Sequence, residues 1–261
     1  MQAKPITKPL VAAGSWRIDI LVTGFPGKSV CHGALGWSTI ALLRGHGRVA
    51  LIDTGGYGVR GVLLDRLADF GLEPDDVTDV ILTHAHFDHI VNWTMFPRAT
   101  LWIGGSELEW AVGEPWGRTP VPELHVEALD RHERTRRLSA GDEVLPGVIT
   151  HHAPGHTPGH LIFVLEDDDW HVIFTSDAAK NRAEFLSGEA DMSLSVEDSR
   201  ATLRKIRDMA LARPGTIIVP GHDRPLIEEN GAFAYIGERN ATILSWRGET
   251  LDETTAISLE P

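Results

Sequence analysis

The run at residues 83–89, Thr-His-Ala-His-Phe-Asp-His, constrains this 261-residue chain more than any other stretch. Three imidazoles and one carboxylate crowd its last six positions, which is either a metal site or a costly gathering of polar groups. The preceding residues 77–82 read as a short, largely apolar strand, and Asp88 stands where an N-cap opens a helix through Ile90, Val91 and Trp93. On such a strand-to-helix turn, side chains escape strand alternation. His84 and His86 can then face one ion while Asp88 and His89 reach another. Imidazole nitrogen and carboxylate oxygen suit zinc and similar borderline metals.

A hydrophobic content of 42% supports a sizeable core, and one domain is favoured because the candidate ligands run from His84 to His222. The net charge of −13 provides no basic face for a phosphate backbone, so a small molecule is expected as partner and nucleic acid is not. Cys31 is the one cysteine and cannot close an internal disulfide, which predicts a reducing compartment. Residues 10–13 are too few for a signal-peptide core of ~7 to 15 residues, and no stretch reaches the ~20 apolar residues of a membrane span. These readings predict a cytoplasmic chain with no membrane partner, in which the sequons at Asn92 and Asn240 are chance matches.

Alternation predicts strands at 16–22, 37–43 and 48–52, and the glycine-rich 23–36 between the first two is either a disordered connection or a flap over a site. Further strands are expected at 100–103, 147–152, 161–165 and 170–175, with a final buried one at 216–219. Helical spacing marks 59–70, 106–112 and 196–211. Residues 113–137 hold three prolines and many charges and read as irregular, which makes about 104–137 a loop or lid insertion. Trp110 and Trp116 within it are either core or an apolar wall for substrate. His125 and His132 read as surface residues.

Asp53 ends the third strand, where it caps a turn. His156 lies in Ala-Pro-Gly-His-Thr-Pro-Gly-His, a segment that cannot be regular and so leaves an imidazole free to face a metal, with His151, His152 and His160 as competitors. Residues 167–169 are three adjacent aspartates and read as solvated. Asp177 and His222 each follow the end of a predicted strand.

His84-x-His86-x-Asp88-His89 resembles the HxHxDH motif of the metallo-β-lactamase superfamily. The match continues in the family's order through Leu51-Ile52-Asp53-Thr54-Gly55, Pro154-Gly155-His156-Thr157-Pro158-Gly159-His160, Thr175-Ser176-Asp177 and Val219-Pro220-Gly221-His222. The resemblance implies an α/β chain folded as an αββα sandwich, a single domain over 1–261 with its site along the shared edge of two sheets. His84, His86 and His156 would hold one metal, Asp88, His89 and His222 the other, and Asp177 would bridge them. Two zinc ions are implied, with manganese or iron as alternatives. Asp53 becomes a carboxylate behind the ligands that orients an imidazole. A hydroxide shared by the metals is the implied nucleophile, Asp88 can accept a proton, and the reaction is hydrolysis of a lactone, lactam, amide or thioester.

The family's branches differ at readable positions. Asp177 stands where the commonest zinc β-lactamases carry cysteine. Thioesterases resembling glyoxalase II carry a helical glutathione-binding region after the last histidine, where 39 residues follow here. Persulfide dioxygenases use one iron, and di-iron members work with a flavin domain. The layout is nearest the small dinuclear zinc lactonases, which place a tyrosine three residues past the bridging aspartate; this chain has Lys180 there. That lysine resembles one with which some zinc β-lactamases grip a substrate carboxylate, or it is a surface residue. The expected function is metal-dependent opening of a small anionic cyclic ester or amide. Thioester or β-lactam hydrolysis, or a non-hydrolytic iron redox role, are the alternatives.

Overall fold

Central strands of this chain are apolar on both faces, and each face meets a different layer. A computed structural model describes residues 9–11, 14–29, 33–167, 169–238 and 241–259; Cys31, Asp168 and Asn240 lie outside them. The first half runs β1 (Trp16–Val22), the small hairpin β2 (Lys28–Ser29) and β3 (Gly33–Ala34), β4 (Ile40–Gly45), β5 (Arg48–Ile52), α1 (Arg60–Asp69), β6 (Asp79–Leu82), α2 (Phe87–Ile90), β7 (Thr100–Gly104), α3 (Gly105–Gly113), α4 (Glu123–Asp130) and β8 (Thr135–Leu138). The second runs β9 (Glu143–Leu145), β10 (Val148–His152), β11 (Leu161–Glu166), β12 (His171–Ser176), α5 (Arg182–Ser187), α6 (Val196–Ala212), β13 (Ile217–Pro220), β14 (Leu226–Glu229) and β15 (Ala232–Tyr235). A last hairpin, β16 (Thr242–Trp246) and β17 (Thr254–Ser258), follows.

One sheet has the order β1-β4-β5-β6-β7-β8 and the other β15-β14-β13-β12-β11-β10-β9. Leu42, Leu51, Val80 and Leu101 point outward to Leu63 and Leu67 of α1 and to Leu108 and Val126 of the later helices. Their sequence neighbours Ala41, Leu43, Ala50, Ile52 and Ile81 point the other way, onto Val148, Phe163, Val172, Phe174 and Val219 of the second sheet. The period of two therefore builds both an inter-sheet core and an outer one. Phe163 and Phe174 are cross-strand partners at its centre. Truncating either to alanine is expected to cost about 3–5 kcal/mol. On the far side Ile162, Val164, Ile173 and Ile218 pack against Leu203 and Ile206 of α6 and Phe185 of α5. The mixed α/β architecture expected from the sequence is thus present as four layers, α/β/β/α.

Some expectations are corrected. Residues 113–137 are not irregular throughout: α4 and β8 occupy 123–130 and 135–138, and β8 pairs parallel to β7 at the sheet edge. Pro122 caps α4 rather than breaking it, since a proline just before a helix removes only a donor the helix would leave unpaired. Strand β13 is not the last: β14 and β15 extend its sheet. Asp88 is not an N-cap; it lies in the first turn of α2, which His86 caps. Beside these, β2 pairs antiparallel with β3, and Phe25 and Trp37 exchange backbone hydrogen bonds of 3.0 and 3.2 Å with their rings stacked at 5.0 Å. No helix among the described residues is long and apolar enough to cross a membrane.

Candidate metal centre

Five strand ends and turns converge on one edge of the sandwich. His84 and His86 follow β6, His89 lies in α2, His156 occupies the β10–β11 turn, Asp177 follows β12 and His222 follows β13. Their ligand-type atoms form three groups, each within 4.8 Å: His84, His86 and His156; His84, His89 and Asp177; and Asp88, His89 and His222. All seven residues named from the motif are brought together.

Asp177 sits between the two imidazole sets. Its Oδ2 is 3.3 Å from His156 Nε2, while its Oδ1 is 3.3 Å from His89 Nε2 and 3.2 Å from His222 Nε2. Asp88 Oδ2 lies 3.3 Å from His222 Nε2. His86 Nδ1 and His156 Nε2 face each other at 2.9 Å. The position of Asp177 requires Gly221, because a Cβ there would stand 2.1 Å from Asp177 Oδ1.

The outer ring nitrogens are held by the chain. His84 Nδ1 is 3.1 Å from Thr83 Oγ1 and His89 Nδ1 is 2.8 Å from Asp53 Oδ2. His156 Nδ1 donates to the Met192 carbonyl and His222 Nδ1 to the Trp37 carbonyl, both at 3.0 Å. Such contacts fix the tautomer and turn each Nε2 inward. Asp53 is buried and also accepts from Thr83 N at 2.9 Å and Ser176 Oγ at 2.9 Å, so it lies behind the cluster. Asp53, Ser176 and Met192 all have positive φ, at 58°, 44° and 50°. Backbone strain in non-glycine residues therefore gathers at this edge.

Electrostatics divide the cluster in two. Burial takes His86 down to about 4, and burial with neighbouring imidazoles holds His84 and His156 well below the ordinary histidine value. Burial also opposes charge on His222, but Asp177 and Asp88 outweigh it and raise His222 to about 9; the same carboxylates with Asp53 raise His89. Asp88, despite its burial, is pulled to about 2 by His89 and His222. One set is neutral and ready to donate lone pairs. The other carries protons where a cation belongs.

A metal fits these residues on the structure's own terms. His84 Nε2 is buried without a hydrogen-bond partner, and His89 Nε2 and Asp177 Oδ1 face each other at 3.3 Å, both buried and without an aligned hydrogen bond. The nitrogen and oxygen atoms around them are the donors zinc and its neighbours take.

Other singled-out residues fall as follows. Lys180 is 9% exposed and its Nζ is 3.2 Å from Glu184 Oε1 without forming a well-aligned hydrogen bond. It is no surface lysine, and its charge contributes to the depression of His86 and His156. Trp110 meets His86 edge-on at 6.3 Å, whereas Trp116 is 63% exposed and has no ring contact among the described residues. His160 is buried and stacked on His84 at 4.8 Å, and His152 is exposed. His125 and His132 are half-buried, bonded to Tyr57 at 2.9 Å and set against Trp93 at 5.4 Å. Sequence reasoning missed Glu107, a fully buried carboxylate beneath the cluster. Its one signal was a charged residue on the same helical stripe as Leu108 and Ala111.

Fold and site together define an α/β/β/α sandwich with a buried cluster of histidines and aspartates able to hold metal at one edge. Residues 36–222 match the model of the metallo-β-lactamase superfamily, and the chain belongs to that superfamily. It is 30% identical over 197 residues to metallo-beta-lactamase domain-containing protein 1 of Xenopus laevis, 73% of each chain. It is 26% identical over 162 residues to an N-acyl homoserine lactonase of Bacillus thuringiensis, spanning 62% of that relative's length and 62% of its own. Among solved structures, AidC, a dizinc quorum-quenching lactonase in complex with a product, superposes with a TM-score of 0.70 at 17% identity, covering 88% of this chain and 96% of that one.

Proposed function

We propose that the chain is a dinuclear metal-dependent hydrolase that opens a small anionic cyclic ester or amide. The observation that carries this reading is the division of Asp177: one oxygen faces His156 and the other faces His89 and His222, which is how one carboxylate serves two ions. In this reading His84, His86 and His156 would hold the first metal and Asp88, His89 and His222 the second, with Asp177 available to both sets. Zinc suits the set, with manganese or iron as alternatives. Metals held there would acidify water and polarise an acyl carbonyl, which is the chemistry of hydrolysis.

The chain's own groups do the rest. Asp88 is ionised at neutral pH and has its side chain 22% exposed, so it can take a proton from attacking water and return it to the leaving group. The Lys180 ammonium has spare donors beside the first set and holds the substrate's carboxylate. Trp110, carried on α3, supplies an apolar wall against His86. Trp116 remains a candidate wall only if substrate draws it in.

The resemblance to lactonases supports this reading without choosing the substrate. The test is elemental analysis of the purified chain with a hydrolysis screen of anionic and neutral lactones, lactams and thioesters. About two metal equivalents and a preference for anionic cyclic esters or amides are expected. A metal-replete protein that leaves every cyclic ester and amide intact would overturn the proposal.

A further inference from the structure

Glu107 lies in the first turn of α3, fully buried, and its carboxylate reaches two separate loops. Oε1 accepts a hydrogen bond from Ala85 N at 2.9 Å, and Oε2 accepts one from Gly159 N at 3.1 Å. Ala85 sits between His84 and His86. Gly159 sits three residues past His156 and one before His160. The same meeting is made by backbone, since a Cβ on Gly159 would stand 2.2 Å from Glu107 N and a Cβ on Gly104 would stand 3.1 Å from Gly159 O. Helix α3 follows β7 without an intervening residue, so the strand fixes where this carboxylate stands.

We propose that Glu107 is a positioning residue that sets the distance between the His84–His86 loop and the His156 loop, and so builds the three-imidazole half of the metal centre. The proposal rests on the metal reading above. Its logic is one of geometry: the first set draws ligands from both loops that Glu107 joins, whereas Asp88, His89 and His222 come from α2 and the end of β13 and do not involve the Gly159 loop. A carboxylate is required because both partners are N–H donors. Glutamine would accept one and turn its own NH2 group against the other.

The test uses zinc titrations of chelator-stripped full-length protein in three backgrounds: wild type, His222→Ala, which leaves the first set, and His84→Ala, which leaves the second. Glu107→Gln is added to each, and the metal-free fold is followed by circular dichroism. The expected result is a Kd raised about tenfold or more by E107Q in the His222→Ala background, with a change under about threefold in the His84→Ala background; tenfold corresponds to about 1.4 kcal/mol. Gly159→Ala, which pushes the same loop from Glu107 without removing a charge, should reproduce the selectivity and serves if E107Q does not fold. Equal weakening of both sets, or of neither, overturns the proposal. Wild type that takes up less than one equivalent of zinc overturns the metal reading itself, and this proposal with it.

Discussion

Asp53 Oδ2 lies 2.8 Å from His89 Nδ1, and this contact decides which nitrogen of that ring faces the cluster. Replacing the carboxylate by an amide puts an NH2 group opposite a ring N–H or forces the amide to turn. The bonds that Asp53 accepts from Thr83 N and Ser176 Oγ are disturbed at the same time.

Asp53→Asn is therefore expected to weaken the second metal about 10- to 100-fold while sparing the first. Asparagine tolerates the left-handed backbone found at this position, so the fold should survive. Competition with a chromophoric chelator measures both affinities. Unchanged binding would leave Asp53 as a turn cap alone.

Filling the second set should release protons. His222 is raised to about 9 and His89 is raised as well, so both are protonated at pH 7, and a metal must displace those protons. Roughly two protons per chain are expected from these imidazoles at pH 7, one fewer in His222→Ala, and the His222 proton is no longer released well above pH 9. His84, His86 and His156 are already neutral and contribute none. Calorimetry in buffers of different ionisation enthalpy counts them. The sign also applies to stability. A raised histidine pKa stabilises the metal-free fold below the unfolded value of ~6.5, and this contribution is lost as pH rises through about 9, so metal-free Tm should fall over that window.

Asp88→Asn should lower turnover far more than metal content, because an amide can still offer an oxygen to a metal but cannot take a proton. Kinetics and metal analysis on one sample decide this. Full activity in a metal-replete variant would rule the proton role out.

Lys180 poses a sharper question, because it is paired with Glu184 in a buried setting. Removing the lysine alone leaves a buried carboxylate, at a cost of about 3–5 kcal/mol in stability. The pair Lys180→Met with Glu184→Gln removes the stranded charge, at the lesser cost of one of the two backbone bonds that Glu184 accepts, from Lys180 N and Asp191 N. If the lysine grips substrate, the double variant should remain folded yet show KM for anionic substrates raised by the equivalent of roughly 1.5–3 kcal/mol, with kcat nearly kept. Retention of the wild-type KM would return Lys180 to a purely structural role.

The metal cluster was legible because its residues are chemically rare and closely spaced: His84, His86, Asp88 and His89 need only a strand-to-helix turn to be brought together. Long apolar elements such as β1, β12 and α6 were legible from their periods. What hid was decided by distant contact. Residues 123–130 make a helix despite the prolines before it, and β14 and β15 are strands because β13 offers them an edge. Glu107 hid for the same reason: nothing local to 105–113 tells that its carboxylate meets Ala85 and Gly159. The burial of Lys180 likewise shows only once Glu184 is seen against it.

The serine at the end of β12 joins these pieces in another way. Ser176 Oγ donates to Asp53 Oδ2, which belongs to the end of β5, and it receives Thr83 Oγ1 from the end of β6, both across 2.9 Å. Strands from the two opposing sheets are thus knotted at one buried point, in backbone that is already strained. Neither sheet can slip along the other without undoing that knot. Amide protons at the ends of β5, β6 and β12 should then exchange with solvent as one cooperative unit, slowed together when metal is bound and freed together when it leaves.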